Sequence, residues 1–402
     1  MMEWMPDSAV GLYVSVPFCK SKCTYCNFAS GVFPADQHAQ YISRVIEELN
    51  AAGEWAGGLG LELPSRVDTI YLGGGTPSLL EPELFDGLFA AIRAKFAVDP
   101  DAEITVECAP GQLGDPVLDA MLSAGVNRVS LGVQSFIDKE AHESGRLHSR
   151  AVVLDDLRRL RDMGISNLNV DLIAGLAGQT FASWNESLEV LLESGVPHGS
   201  VYMLEVDEDS RLGRELMSGG ARYRAGLVPT DDAIAQMYET AVAHLESAGV
   251  RQYEISNFAR AGFESRHNLR YWQRRPYLGL GLDASSMLRE DGGELVLRAT
   301  TTDDLKGYLS GDLFRETTWL SPARQVEEAW FLALRTNAGI DPEELQEEFG
   351  RELVAASVEV AGRLAGDGLL LREEGRFRLT PRGRMVSNDV FQEFLAEAES
   401  VG

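Results

Sequence analysis

The stretch Tyr13-Val-Ser-Val-Pro-Phe-Cys19-Lys-Ser-Lys-Cys23-Thr-Tyr25-Cys26-Asn-Phe28 holds three of the chain's four cysteines. Its first residues are apolar and β-branched and read as a short strand that runs directly into a C-x3-C-x2-C loop. Thiolates this close in sequence can grip one soft metal centre. An iron–sulfur cube needs four ligands; three from the protein leave one iron open to a small molecule, which makes a reactive site rather than a staple. A structural zinc would want a fourth protein ligand nearby, and the nearest histidine, His38, lies beyond a Gly-Val-Phe-Pro break. Disulfide pairing would leave an odd thiol. The spacing favours a cluster on Cys19, Cys23 and Cys26 over both.

Outward from this loop, short β-branched runs alternate with longer amphipathic segments. The pattern predicts strands at Gly11–Val16, Val67–Leu72, Glu103–Glu107, Arg128–Val133, Asn167–Leu172 and Ser200–Leu204. It predicts helices at Gln37–Ala52, Glu81–Phe96, Ala151–Met163, Thr180–Glu193 and Asp231–Ala248. Such alternation implies parallel strands joined by right-handed crossovers. Six units cannot close an eight-unit barrel, so the fold class is α/β with an open, partial (β/α)6 barrel, whose chemistry belongs at the C-terminal strand ends. After about Ser321 a separate small unit is expected: helices at Ala323–Arg335, Pro342–Phe349 and Arg351–Ala365, a hairpin over 368–380, and a last helix Pro381–Glu397. The division expected is 8–256 for the barrel, 257–320 for a connecting segment and 321–402 for a winged-helix-like α+β domain.

Composition narrows the partners. The formal charge is −26 and the sequence pI about 4.6, which argue against a phosphate-backbone binder. A winged helix invites a DNA reading, but residues 321–402 carry 9 Arg and no Lys against 16 Asp plus Glu, a balance of 9 − 16 = −7. A lid or docking role suits that domain better. No apolar run approaches a membrane span, and Met1–Asp7 lacks the basic start and apolar centre of a secretory signal. A cytoplasmic location is expected.

The cysteine loop, following a strand and ending beside an aromatic, resembles the signature of the radical S-adenosylmethionine (radical SAM) enzymes. The resemblance implies a [4Fe-4S] cluster whose open iron chelates the amino and carboxyl groups of S-adenosylmethionine, cleaved on reduction to a 5′-deoxyadenosyl radical. It also implies a three-quarter barrel. The second strand ends in Leu72-Gly73-Gly74-Gly75-Thr76-Pro77, similar to the family's GGGTP element at the methionyl end of the cofactor. A triple glycine alone would mean only a tight turn. Glu107 aligns with a cofactor-holding carboxylate, although Cys108-Ala109 replaces the usual small residue and Asn; a buried structural thiol is the expectation for Cys108. Gln134, at the end of an apolar run, can read a ribose or adenine edge; Arg146 matches an arginine that faces the adenosyl portion; and Asp171 opens a stretch similar to the family's D-L-I-x-G-L-P-x-Q-T, with Ala177 standing where the family has Pro. Tyr13 and Tyr25, the aromatics opening and closing the first element, complete the expected cofactor set. Taken singly, each polar residue reads more readily as a structural hydrogen bond; convergence on successive strand ends reverses that weighting.

Two features narrow the resemblance. Oxygen-independent coproporphyrinogen III oxidases carry a further cysteine where this chain has Phe28, and a longer N-terminal arm. The stretch Tyr253-Glu-Ile-Ser-Asn-Phe-Ala259 and the later His267-Asn268-Leu-Arg-Tyr271-Trp272 resemble elements of the radical SAM heme chaperones related to those oxidases. That resemblance implies heme contact by His267, Asn268, Tyr271 and Trp272, with an imidazole for iron and flat rings for a porphyrin. It implies heme and heme-accepting proteins as partners, with peripheral association to membrane-bound acceptors open to a chain lacking its own span. Ser265 replaces a cysteine frequent in the family, and Tyr277-Leu-Gly-Leu-Gly281-Leu-Asp283-Ala-Ser285-Ser286 lacks the histidine of the related G-x-G-A-H-S turn. The expected function is heme chaperoning, with two enzyme rivals: an oxygen-independent coproporphyrinogen III oxidase, which belongs to porphyrin biosynthesis, and a heme-degrading radical SAM methyltransferase.

Overall fold

A computed structural model describes residues 9–395. Its strands are, in order, β1 (Ala9–Val16), β2 (Leu61–Glu62), β3 (Arg66–Gly74), β4 (Ala97–Cys108), β5 (Arg128–Gln134), β6 (Asn167–Ala174), β7 (His198–Met203), β8 (Arg251–Gln252), β9 (Asn257–Ala259), β10 (Tyr277–Leu280), β11 (Ser285–Glu290), β12 (Val296–Thr301), β13 (Phe314–Leu320), β14 (Leu370–Glu373) and β15 (Arg376–Leu379). The six predicted strands are β1, β3, β4, β5, β6 and β7, parallel neighbours in that order. Both faces are covered, so the strands are apolar almost throughout: Leu12, Val14, Val16, Ile70, Leu72, Val129, Leu131, Val170 and Leu172 are fully buried. The helices Asp36–Gly58, Pro82–Lys95, Arg150–Asp162, Phe181–Glu193 and Asp231–Ser247 pack outside, where the periodicity placed them. The result is a partial barrel that stays open.

The segment 257–320 does more than connect. It supplies β10, which pairs parallel to β1, and then β11, β12 and β13 as an antiparallel extension; β9 and β8 close the opposite edge beyond β7. The helix Arg266–Trp272 lies under the N-terminal ends of β3 and β4. Arg270 is fully buried there, ion-paired with Asp68 and donating to the carbonyls of Ala9 (3.2 Å) and Pro276 (2.9 Å). A charge pair buried this deeply holds together only with such added hydrogen bonds.

The C-terminal unit has its own core of Val326, Trp330, Val354, Leu364, Phe377, Val390 and Phe394, with the Trp330 and Phe394 rings stacked at 4.7 Å. Its hairpin is β14–β15. The single last helix expected from Pro381 is two short ones, Pro381–Met385 and Ser387–Gln392, because Val386 leaves helical geometry (φ −118°, ψ 35°). The expected end of that helix at Glu397, and the opening residues Met1–Ser8, lie outside the described residues. Among the described residues no helix is long and apolar enough to cross a membrane.

Candidate cofactor cavity

The C-terminal ends of the parallel strands and the cysteine loop enclose a cavity of about 530 Å³. Cys19, Cys23, Cys26, Tyr25, Gly74, Gly75, Thr76, Glu107, Gln134, Arg146 and Asp171 all line it. Strand ends are where backbone groups and side chains become free of the ladder, so the sequence places its polar residues there for a structural reason. Tyr13 lies one layer behind, its ring centroid 6.1 Å from that of Tyr71.

The cysteine loop is held by the elements beneath it. The amide of Gly75 donates to the Val16 carbonyl (2.8 Å) and that of Thr76 to the Phe18 carbonyl (2.7 Å), so the glycine turn is latched to the loop's first residues. A Cβ at Gly75 would stand 2.7 Å from both of those carbonyl oxygens, which explains glycine at that position. On the far side Thr24 donates to the Ser144 carbonyl, and Ser21 Oγ to that of Gly145. Gly145 has φ +97° and approaches Cys23 Cα closely enough that a Cβ would sit at 3.1 Å. Lys22 Nζ ties the loop's return, donating to the carbonyls of Phe28 (2.6 Å) and Ser30 (3.0 Å). The four cysteines are free thiols.

Arg146 bridges wall and loop: one guanidinium nitrogen lies 3.6 Å from Cys23 Sγ and the other donates to the Gly132 carbonyl. Glu107 accepts from the Tyr71 hydroxyl (2.7 Å) and the Gly74 amide (3.1 Å). Burial, reinforced by the nearby Asp171 carboxylate, pushes its pKa up to about 7. Burial likewise raises Asp171, which accepts from Ser130 (3.1 Å) and Asn169 (2.8 Å). Two carboxyls short of charge compensation favour a cationic occupant. Gln134 takes a left-handed backbone (φ 70°), a strained state that ends β5 and turns its side chain to the cavity wall, where its Oε1 has no partner among the described residues. Cys108 lines the same cavity, buried, with burial raising its thiol pKa.

The four residues expected at heme do not line this cavity. His267 is fully buried, with Nδ1 at 2.9 Å from Thr69 Oγ1 and Nε2 at 2.8 Å from the Tyr271 hydroxyl. Burial and Arg270 push its pKa down to about 3, so the ring is neutral and both nitrogens are engaged. Trp272 carries the Arg335 guanidinium over its ring at 4.4 Å, and Asn268 sits in the first turn capped by Ser265. His267 therefore offers iron no free nitrogen in this conformation: the sequence showed the residue types but not their hydrogen bonds. Ser285, where the related turn has histidine, is exposed and hydrogen-bonded to Thr300 (3.1 Å), also away from the cavity. Sequence reading passed over His148, Gln112 and Tyr71; only tertiary packing brings them to the site.

The Radical SAM superfamily model matches residues 13–191 and the HemN C-terminal domain model residues 320–386. Heme chaperone HemW of Bacillus subtilis (strain 168) is 34% identical over 96% of this chain and 99% of its own length; that of Lactococcus lactis is 34% identical over 98% of each. The chain belongs to the HemW family. A mouse mitochondrial relative, radical S-adenosyl methionine domain-containing protein 1, is 32% identical over 98% of this chain and 90% of its own. Among solved structures, coproporphyrinogen III oxidase (HemN) from Escherichia coli superposes with a TM-score of 0.82 over 98% of this chain and 91% of its own, at 23% identity, a likeness of fold.

Membership of this radical SAM family implies a [4Fe-4S] cluster and S-adenosylmethionine. The residues present fit both groups. Among the described residues no trio of His, Cys, Asp or Glu converges tightly enough for a single metal ion, whereas a cluster spreads its thiolates over separate irons. The three free thiols share one cavity with glycine amides, two carboxyls and an arginine.

Proposed function

We propose that this protein is a heme chaperone that binds a [4Fe-4S] cluster, S-adenosylmethionine and heme and delivers heme to acceptor proteins. The observation that carries this reading is the match to HemW from end to end, covering barrel, intervening strands and C-terminal unit alike. Cys19, Cys23 and Cys26 hold the cluster; Gly74, Gly75 and Thr76 receive the methionyl end of the cofactor with Glu107; and Gln134, Arg146 and Asp171 face its adenosyl part, with Tyr25 beside them and Tyr13 behind. Bound together, cluster and cofactor supply one-electron chemistry at the sulfonium. Phe28, 63% exposed at the cavity mouth, stands where the oxidases place a cysteine, which supports chaperone over oxidase.

Heme is the cargo, contacted by the His267–Trp272 helix. Ligation of iron by His267 requires its bonds to Thr69 and Tyr271 to open, so heme binding at that helix is coupled to local rearrangement. The test is comparative: heme titration of wild type, His267→Ala and Trp272→Ala, beside an anaerobic coproporphyrinogen III assay with reductant and S-adenosylmethionine. The expected result is saturable heme binding weakened in both variants and no protoporphyrinogen. Equal heme binding by all three proteins with product formation by the wild type would replace this function with the oxidase reading.

A further inference from the structure

Three polar atoms on the cavity wall are buried without a hydrogen-bonding partner among the described residues: Gln112 Oε1, Gln134 Oε1 and His148 Nε2. A buried polar group left unpaired costs free energy, and such groups cluster where a ligand completes them. His148 is the most constrained. It is 8% exposed, sits between Arg146 and the helix Arg150–Asp162, and forms its hydrogen bond with the backbone of Val133 at the end of β5. The loop carrying Gln112 packs against that same helix, where a Cβ on Gly111 would stand 3.0 Å from Val152.

The protonation state follows from the surroundings. Burial and the neighbouring Arg146 charge push the His148 pKa down to about 4 against the opposing Val133 backbone and Asp138, so the ring is neutral at pH 7. A neutral imidazole has one donor and one acceptor nitrogen. With one nitrogen committed to the Val133 backbone, Nε2 presents a lone pair to the cavity, as the two amide oxygens do. These three acceptors thus lack donors, and their complement is a ligand face that supplies them. Of the chain's other histidines, His267 and His198 have both ring nitrogens occupied, the latter by Asn169 (2.6 Å) and Tyr253 (2.8 Å).

We infer that His148 is a further nucleoside-binding residue, its Nε2 accepting a hydrogen bond from a ribose hydroxyl or the adenine amino group of S-adenosylmethionine, with Gln112 and Gln134 offering carbonyl oxygens into the same cavity. The inference rests on the reading that this cavity holds S-adenosylmethionine. It assigns the residue by chemistry: a nucleoside carries two ribose hydroxyls and one amino group, all donors. His148 acts in recognition.

The test uses the full chain with its cluster reconstituted anaerobically, and calorimetric binding of S-adenosylhomocysteine and its 2′-deoxy, 3′-deoxy and N6,N6-dimethyl analogues. His148→Ala should weaken S-adenosylhomocysteine about tenfold, the scale of one hydrogen bond to a buried acceptor, and His148→Gln, which restores an acceptor, should recover part of it. One of the three analogues should lose about tenfold on wild type and lose nothing further on His148→Ala, which identifies the donor. The analogue series on wild type stands even where the alanine variant fails to fold. Equal affinity of wild type and His148→Ala for S-adenosylhomocysteine overturns the inference and leaves the cavity reading intact. A variant that keeps nucleoside binding but loses heme overturns it in favour of an imidazole–iron contact. Failure of wild type to bind S-adenosylhomocysteine at all overturns both.

Discussion

Glu107 is where cofactor affinity should become a function of pH. Its carboxyl is held near pKa 7 by burial first and by Asp171 beside it, despite the hydrogen bonds from Tyr71 and Gly74 that favour the ion. The N–H groups of the methionyl amino group and the sulfonium charge of S-adenosylmethionine favour the ion further, so the pKa falls in the complex and binding expels the proton. With a free-state pKa of about 7, the ionised fraction is roughly one-tenth at pH 6 and nine-tenths at pH 8, and affinity should rise roughly tenfold across that interval. At pH 7 Glu107 should contribute about half a proton released per molecule bound, a contribution read as the difference between wild type and Glu107→Gln. Calorimetry on reconstituted protein in two buffers of different ionisation enthalpy measures both quantities. Glu107→Gln keeps the shape, removes the charge and should bind about tenfold more weakly at pH 8, with the Glu107-linked rise between pH 6 and 8 abolished. The stability effect has the opposite sign. A carboxyl whose folded pKa is raised favours the fold below its unfolded pKa near 4.5 and loses that contribution as pH rises through 7, so the glutamine variant should outlast wild type in denaturant above pH 7. A wild-type affinity flat from pH 6 to 8, with buffer-independent enthalpy at pH 7, would refute the reasoning.

Other consequences are equally direct. Cys23→Ser should abolish the charge-transfer absorbance of reconstituted protein while far-ultraviolet circular dichroism stays close to wild type; full iron and sulfide retention would sink the cluster assignment. Gly75→Ala forces a Cβ against three backbone atoms at 2.7–2.9 Å, so it should cost roughly 1–3 kcal/mol in urea unfolding and also lower iron content, because the displaced atoms belong to Val16 and Phe18 beside Cys19. Asp68→Ala removes the carboxylate that pairs with the buried Arg270 and should cost roughly 3–5 kcal/mol in the same assay; a change under 1 kcal/mol would mean that the pair contributes little in solution. Tyr71→Phe removes the hydroxyl that holds Glu107, so any effect of S-adenosylmethionine on heme affinity seen in wild type should shrink in the variant; an unchanged effect would exclude this route.

The barrel was legible because its strands are buried on both faces and its helices on one, so the 2.0 and 3.6 periods stand out over each unit. The residues that line the cavity were legible because three dense motifs follow successive strands. Other parts carry weaker signals. β8 and β9 are two and three residues long, too short for any period, and β10 is a four-residue apolar run that reads equally as loop or strand. The antiparallel pair β11–β12 did have a cue, Asp291-Gly292-Gly293 between two β-branched and apolar runs, the composition of a tight hairpin. His148 could not be read at all, since an unpaired lone pair is a property of packing.

The His267-Asn-Leu-Arg-Tyr-Trp272 element shows how far residue types alone can lead. Imidazole and flat rings suggested a porphyrin site, yet the same groups serve the barrel's floor: the His267 amide donates to Glu103 (3.0 Å) on β4, its ring bonds Thr69 on β3, and Arg270 pairs with Asp68. Along β3, Thr69 and Gly74 are five residues apart, which at the rise of an extended strand separates floor from cavity by about 17 Å. One side chain, Tyr71, touches groups on both sides. The Tyr71 ring lies 5.3 Å from the His267 ring, and its hydroxyl donates to Glu107 at the cavity wall. A ligand that draws His267 away from Thr69 and Tyr271 therefore acts on the ring that positions the cofactor's carboxylate, and by reciprocity a cofactor that charges Glu107 acts on the ring that packs against His267. Under the proposed function, heme at the His267 helix and S-adenosylmethionine in the cavity lie toward opposite ends of the same strands with Tyr71 between them, so cofactor occupancy would regulate the hold on heme without touching it.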